Sequence, residues 1–158
     1  MKKCVVVGSL AIGGKAPVRV ESMLKTPLSE SNSLFKEIDE LVDAGCELVR
    51  VAFPDVSFKE NLAELVSRSR IPVMADIHFD HRLAIAAMEA GCAAIRTNPG
   101  NMDSRHIGAV VEIAKERGST IRIGSNSGSV NRKQMEEAKG DKAKALFWAV
   151  KEQADLLL

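Results

Sequence analysis

The stretch VMADIHFDHRLAIAAMEAGCAAIRTN, residues 73–98, contains the structural unit that this chain repeats. It opens with a short apolar run, Val73–Ile77, and continues through a segment of helical period to Gly91, after which a second apolar run covers Ala93–Asn98. A glycine just past the last helical turn commonly ends a helix, and strands that alternate with helices are typical of a parallel sheet. The stretch therefore predicts a strand, a helix and a second strand parallel to the first.

The same unit recurs along most of the chain. Each predicted strand is followed by a stretch with helix-start or amphipathic character, and the spacing of about 25 residues matches one βα unit of a barrel. This pattern predicts an α/β fold, a partial (β/α)8 TIM-type barrel of about five βα units preceded by a short N-terminal hairpin. The predicted strands are Val18–Leu24, Leu48–Phe53, Val73–Ile77, Ala93–Asn98 and Thr120–Ser125.

Local signals refine the helix boundaries. Ser33 is predicted to cap the first helix, and Ser57 with Glu60 is predicted to form a capping box. Gly45 and Gly91, each within an Ala-Gly-Cys sequence, are predicted to end helices. The segment 142–158 is predicted to be an amphipathic helix.

The length limits what the chain can form by itself. Its 158 residues, 46% of them apolar, can bury one core but fall short of the roughly 250 residues of a complete barrel. Residues 1–158 are therefore expected to be an incomplete barrel domain. Five parallel strands without closure leave two edges unprotected, so the chain is expected to be a fragment, to pair with another chain or to form a homo-oligomer.

Composition argues against several function classes. The net charge of +1 and the absence of tyrosine leave no basic stripe with interleaved aromatic residues, so nucleic acid is not an expected partner. No run of 18 apolar residues could span a membrane. Lys2 and Lys3 before the apolar run 4–12 resemble a signal peptide, but Gly8 and the pair Gly13-Gly14 favour a small hairpin with a glycine turn.

The three cysteines, Cys4, Cys46 and Cys92, are far apart in the sequence. No C-x-x-C or Cys/His pairing surrounds them, so neither a disulfide framework nor a metal site is expected within the chain. This usage is typical of a reducing compartment and predicts a cytoplasmic protein.

Polar residues occur at the carboxyl ends of the predicted strands, where barrels place their functional sites. Buried arginines cannot lose their charge, so arginines within apolar strands need an anion, either a polyanionic ligand or internal carboxylates such as Glu21, Glu47 and Asp76. A strand-end histidine can likewise be a base or a merely structural residue. Both alternatives stay open for the candidate residues Arg50, Asp76, His78, Arg96, Asn98, Arg122 and Asn126.

Three runs in this order resemble the 4-hydroxy-3-methylbut-2-enyl diphosphate synthase family. They are ADIHFD at 75–80, IRTNPGN at 95–101 and IRIGSNSGS at 121–129. Glu21-Ser22-Met23 and Leu48-Val49-Arg50-Val51 precede them, so the resemblance covers nearly the whole chain.

The resemblance implies an oxidoreductase of the non-mevalonate isoprenoid pathway. Such an enzyme binds 2-C-methyl-D-erythritol 2,4-cyclodiphosphate in a barrel and opens its ring reductively with a [4Fe-4S] cluster and two electrons from ferredoxin or flavodoxin. Its substrate-binding residues would include Arg50, Arg96 and Arg122 at the diphosphate and Asn98 and Asn126 at phosphate or hydroxyl oxygens. Asp76 and His78 would lie near the sugar-derived part as catalytic candidates, with proton transfer unassigned.

Two departures from that family bear on function. Leu24-Lys25 stands where the family commonly has Thr-Asn, so a hydrogen bond of that loop is in doubt and Lys25 could contact an anion instead. The cysteines and glutamate that hold the cluster belong to a separate C-terminal iron–sulfur domain with no counterpart in this chain, so the chain alone is expected to be inactive. A pterin-binding barrel of the dihydropteroate synthase type and a non-catalytic truncated fragment are the alternatives.

Overall fold

The computed structural model describes residues 3–77, 80–98, 104–126, 128 and 130–157. It contains an N-terminal hairpin followed by alternating strands and helices. The strands are β1 Cys4–Val7, β2 Leu10–Gly13, β3 Glu21–Met23, β4 Leu48–Ala52, β5 Val73–Asp76, β6 Ala94–Thr97 and β7 Thr120–Ile123. The helices are α1 Ser31–Asp43, α2 Lys59–Arg68, α3 His81–Glu89, α4 Ser104–Arg117, α5 Arg132–Glu137 and α6 Lys142–Leu157, with a short 3-10 turn at Val56–Phe58.

Strands β3 to β7 form one parallel sheet in sequential order, which confirms the predicted partial barrel. Asp76 of β5 is in register with Arg96 of β6, and Arg96 is in register with Arg122 of β7. The predicted strands were too long, above all the first, because Val18 and Val20 are exposed and only Glu21–Met23 pairs with β4. In the described part of the chain, no helix is long and apolar enough to cross a membrane.

The two faces of the sheet differ in character. Alternate residues such as Val49, Val51 and Ala75 face the helices and form the main apolar core with Leu34, Leu62 and other buried helix residues. The residues between them, such as Leu48 and Met74, face the opposite side, which is called the inner face here. Polar side chains on the inner face are therefore separated from the main core.

The N-terminal hairpin packs against the amino-terminal ends of the strands. Val7 is buried against Leu48, Met74 and Ala94, and the hydroxyl of Thr120 donates to the Val6 carbonyl at 2.7 Å. The hairpin was predicted, but its turn is Gly8-Ser9 and not Gly13-Gly14. Gly8 has a φ of 57°, and a side chain there would meet the ring of Pro72. Glycine therefore suits this position of the hairpin turn.

Two predicted helix caps were wrong. Ser33 lies inside α1, which begins at Ser31 without a side-chain cap. Ser57 and Glu60 form no capping box, because the Asp55 carboxylate accepts the Ser57 amide at 2.8 Å and starts the 3-10 turn first. Among the described residues, a capping box forms between Asn131 and Gln134 at the start of α5.

The predicted glycine ends of α1 and α3 are confirmed, with φ of 91° at Gly45 and 93° at Gly91.

We expect Gly91→Ala to lower the free energy of unfolding by about 1–2 kcal/mol, because an L side chain is strained in this conformation. Gly108→Ala is the matched control, since Gly108 lies within α4 and a side chain there meets nothing within 4 Å. It should stabilise the chain by about 0.5–1 kcal/mol. Equal effects of the two changes in urea unfolding would contradict this explanation.

Candidate functional site

A continuous chain of ion pairs crosses the inner face of the sheet. Arg96 donates from Nη1 to Asp76 Oδ1 at 2.9 Å, and Arg50 Nε lies 3.3 Å from Asp76 Oδ2. Arg50 Nη1 reaches Glu21 Oε1 at 3.3 Å. Arg122 Nη1 contacts both oxygens of Glu21, at 2.7 and 2.6 Å. The structure thus brings the three predicted arginines together around two shared carboxylates.

Strand alternation explains why these side chains meet. Arg50, Asp76, Arg96 and Arg122 occupy inner-face positions of β4 to β7, where the neighbouring positions supply apolar residues to the helix side. Glu21 comes from β3, the first strand of the same sheet. Sequence reasoning considered Glu21 only as a possible internal partner of the arginines, and the structure places it in the site.

Side-chain exposure increases along these ion pairs from Asp76 to Arg122. The side chain of Asp76 is 6% exposed, that of Arg96 14% and that of Arg50 21%, whereas Glu21 is 25% and Arg122 44% exposed. The Asp76 end is consequently fixed within the protein. The Arg122 end is open to solvent.

The formal charges of the site do not cancel. Three guanidinium groups and two carboxylates sum to 3 − 2 = +1. Both oxygens of Asp76 face guanidinium groups, so its contacts are those of a counter-ion. The catalytic candidacy of Asp76 stays a prediction.

Several buried polar atoms in or just after the strands of the sheet have unused hydrogen-bonding capacity. Among the described residues, Arg50 Nε, Asn98 Oδ1 and Ser125 Oγ are buried without a hydrogen-bond partner. The contact of Arg50 Nε with Asp76 is an ion pair without hydrogen-bond geometry. Arg50 is the middle residue of β4, whereas Asn98 and Ser125 follow the carboxyl-terminal ends of β6 and β7. Buried polar atoms normally have hydrogen-bond partners, so the pattern favours a polar ligand or water near these three atoms.

Gly124 gives the guanidinium of Arg96 the space that it occupies. A Cβ atom at Gly124 would lie 2.6 Å from Arg96 Nη2 and 2.8 Å from its Cζ. The Gly124 amide also donates to the Thr97 carbonyl at 2.8 Å, which extends the contact between β6 and β7. A larger residue would displace the guanidinium from its place beside β7.

The remaining predicted site residues are less tightly placed. Asn126 is exposed beyond β7, and its Oδ1 accepts the Gly128 amide at 2.9 Å. Asn98 is half-buried just after β6. His78 lies outside the described residues. The ligand roles of all three stay predictions.

The loop after β3 is held by a helix residue. The amides of Lys25 and Thr26 both donate to the Glu37 carboxylate of α1 at 2.9 Å. Burial alone would raise the pKa of Glu37, but these amides, together with the Thr26 side chain and the charge of Lys25, outweigh it and lower the pKa below its usual value. Leu24 is buried in the main core and Lys25 is exposed, so the departure from the family pattern at Leu24 serves packing.

The three cysteines do not come together. Cys4 is exposed, while Cys46 and Cys92 are buried. Burial raises the pKa of the Cys92 thiol to about 12, so the thiolate that metals require is disfavoured there. In the part of the chain that the structure describes, no group of three or more His, Cys, Asp or Glu side chains could hold a metal ion.

Solved structures share the architecture. The chain superposes with a TM-score of 0.68 on 7,8-dihydropteroate synthase from Vibrio fischeri ES114, covering 98% of this chain and 60% of that one at 12% identity. A dihydropteroate synthase from Yersinia pestis matches with a TM-score of 0.58, 13% identity and coverage of 94% and 57%. At such identities the likeness shows the fold alone. The molecule is therefore a partial TIM-type barrel, and the five ion-paired groups described on its inner face carry a net charge of +1.

The sequence comparisons identify the family. The model of the GcpE TIM-barrel domain matches residues 2–158, and this chain belongs to that family. A 4-hydroxy-3-methylbut-2-en-1-yl diphosphate synthase (flavodoxin) of Natranaerobius thermophilus is 46% identical over 141 residues, which are 89% of this chain and 40% of the relative. The protein of the same name from Maridesulfovibrio salexigens is 43% identical over 152 residues, 96% of this chain and 42% of the relative. The resemblance seen in the sequence is confirmed, and the chain spans about two fifths of the length of these relatives.

The buried position of Asp76 predicts a large loss of stability on substitution. Asp76→Asn removes the charge between Arg50 and Arg96, leaving Arg96 without an anion and Arg50 with only its longer contact to Glu21, so the free energy of unfolding should fall by about 2–4 kcal/mol. Asp155→Asn is the control, because its pair with Lys151 lies on the exposed surface of α6. That change should cost under about 0.5 kcal/mol. A similar small loss for both variants in urea titrations would show that Asp76 is not the required counter-ion.

Proposed function

We propose that this chain is the substrate-binding part of an enzyme that reductively converts 2-C-methyl-D-erythritol 2,4-cyclodiphosphate to 4-hydroxy-3-methylbut-2-enyl diphosphate. Membership of the GcpE family and the names of its relatives support this activity. One observation carries the assignment of the site: Arg50, Arg96 and Arg122 meet on the inner face with an excess of positive charge. In this proposal residues 1–158 form the incomplete barrel domain, and the diphosphate binds to the three arginines.

The chemistry of a diphosphate suits these groups. Its oxygens accept hydrogen bonds from planar guanidinium groups, and each charge-assisted bond contributes on the order of 1.5–3 kcal/mol. Arg50 Nε is buried and has a donor to offer, since none of the described residues accepts from it. Asn98 and Asn126 are proposed to contact phosphate or hydroxyl oxygens. Asp76 and His78 are proposed to lie near the sugar-derived part of the substrate.

The ion pairs with Glu21 and Asp76 allow a second role for the arginines, that of a structural polar layer. Many barrels contain such layers, and the contacts alone suit either role. Binding and stability measured side by side distinguish the two. A structural arginine affects the melting temperature, whereas a ligand-binding arginine affects affinity.

The proposed reaction consumes two electrons. The relatives' names specify flavodoxin, which we propose as the donor, with ferredoxin as the alternative. A [4Fe-4S] cluster would supply the electron transfer, but the described cysteines do not fit a cluster site, because Cys46 and Cys92 are buried and the described residues form no metal-binding group. Within the proposal, the free cysteines favour a cytoplasmic setting, and the unpaired edges of β3 and β7 favour a homo-oligomer.

The pterin-binding barrel is not favoured. The dihydropteroate synthases share the architecture at 12–13% identity, which shows the fold alone, whereas the sequence relatives share the synthase name. Thermal-shift measurements with the cyclodiphosphate and with a pterin diphosphate would separate the two ligands.

Replacing each arginine tests the diphosphate site. Arg50→Ala, Arg96→Ala and Arg122→Ala should each weaken binding of the cyclodiphosphate by about 1.5–3 kcal/mol, roughly ten- to a hundredfold or somewhat more. Lysine at the same positions should restore part of the affinity, because it keeps the charge but loses the planar fork. Calorimetric titration measures the affinity, and melting curves show whether each variant is folded.

Arg70→Ala is the control for these variants. Arg70 pairs with Asp39 and Asp43 on the surface of α1, far from the inner face, so affinity should not change. Unchanged affinity in all three inner-face variants, together with lowered melting temperatures, would assign the arginines to a structural layer and reject the diphosphate site.

Gly124 offers a test that keeps every charge in place. Gly124→Ala should move the Arg96 guanidinium, because the added Cβ would occupy its position, while the flexible side chain can shift without unfolding the sheet. We expect affinity for the cyclodiphosphate to fall about tenfold, and the melting temperature to fall as well, because the shift of Arg96 disturbs its buried ion pair with Asp76. Wild-type affinity in this variant would indicate that the observed position of Arg96 is not the binding position.

A further inference from the structure

The ion pair between Glu21 and Arg122 differs from the others in the site. It joins β3 and β7, the two edge strands of the sheet, whereas Asp76 pairs with arginines of the strands beside its own. Both oxygens of Glu21 contact the same Arg122 nitrogen, at 2.7 and 2.6 Å. The pair therefore crosses the inner face from one edge of the sheet to the other.

The two carboxylates of the site are not equally easy to displace. Asp76 is almost completely buried between two guanidinium groups, and a buried ion pair is costly to break. Glu21 and Arg122 are much more exposed, and exposed pairs are screened by water and contribute little free energy. Glu21 is thus the carboxylate that an incoming anion can replace.

Arg122 needs an anion whether or not a ligand is bound. It stands opposite Arg96 in the register of β6 and β7, and like charges directly opposite each other on neighbouring strands are unfavourable. Arg96 is paired with Asp76, and Glu21 is the carboxylate that contacts the Arg122 guanidinium. A diphosphate beside Arg122 would supply the same counter-charge.

We propose that Glu21 is an internal counter-ion that a diphosphate displaces from Arg122. The inference rests on the proposed function, in which the arginines bind a diphosphate. Glu21 holds the Arg122 guanidinium on the inner face while the site is empty, and the ligand competes for that guanidinium when it binds. Glu21 is then a positioning residue that lowers affinity, because its ion pair with Arg122 has to break.

The charge of Glu21 can be removed without changing its size. Calorimetric titrations with inorganic pyrophosphate, and separately with the cyclodiphosphate, would compare this chain with its Glu21→Gln variant at one fixed salt concentration. Glu21→Gln should bind pyrophosphate about three- to tenfold more tightly, because Arg122 is released from its internal anion. Glu89→Gln is the matched control, since Glu89 pairs with Lys59 on the helical surface, and it should leave the affinity unchanged.

A double-mutant cycle tests whether Arg122 is the contested group. In an Arg122→Ala background the gain from Glu21→Gln should shrink to within about twofold, the remainder reflecting the longer contact of Glu21 with Arg50. Melting curves give an independent readout. Glu21→Gln without ligand should melt at a lower temperature than the original chain, and pyrophosphate should raise its melting temperature by a larger amount.

The outcomes separate this inference from the proposed function. If the original chain binds either anion and Glu21→Gln binds it equally or more weakly, Glu21 is a structural partner and the inference is wrong, while the diphosphate site stands. A gain that persists in full in the Arg122→Ala background would also overturn it. If the folded chain and the folded Glu21→Gln variant bind neither anion, both the inference and the diphosphate site are rejected.

Discussion

The inner face depends on the Asp76 carboxylate between Arg50 and Arg96. Arginine keeps its charge at any pH that the protein meets, so two guanidinium groups on neighbouring parts of a sheet require an anion between them. Asp76 supplies it from β5, the strand between β4 and β6, and its own burial is tolerated only because both oxygens face a cation. The carboxylate thereby fixes the positions of two guanidinium groups without any ligand.

The fold separates this charged layer from the packing that stabilises the chain. Alternate residues of the strands pack against the helices in a continuous apolar core, which contains none of the ion-paired groups. At the amino-terminal ends of the strands the hairpin residue Val7 packs on Leu48, Met74 and Ala94, so apolar contacts also underlie the charged layer. The charged groups can consequently respond to a ligand while the helix side of the sheet stays packed, a division that is typical of parallel barrels.

Much of this arrangement follows from sequence patterns, and the rest depends on three-dimensional distances. Period-two alternation puts Asp76 and Arg96 on inner-face positions, and the Ala-Gly-Cys sequences mark the ends of α1 and α3 correctly. The turn of the hairpin and the caps near Ser33 and Ser57 were mispredicted, because several nearby residues could serve equally well by composition. Glu21 was one of the carboxylates considered as a partner of the arginines, but the sequence could not predict that it pairs with Arg122, since 101 positions separate the two residues and the contact depends on how the sheet curves.

The numbers of guanidinium and carboxylate groups on the inner face would allow it to be stable and also to bind an anion, as proposed. Three guanidinium groups without carboxylates would repel one another, and with three carboxylates they would have no excess charge to attract an anion. Two carboxylates leave a charge of 3 − 2 = +1, with the buried one holding Arg50 and Arg96 and the more exposed one holding Arg122. The proposed diphosphate, with more than one negative charge, would take over the role of the exposed carboxylate and add charge that the site lacks. In the proposed site, the difference in burial between Asp76 and Glu21 would make Asp76 the permanent counter-ion and Glu21 the exchangeable one.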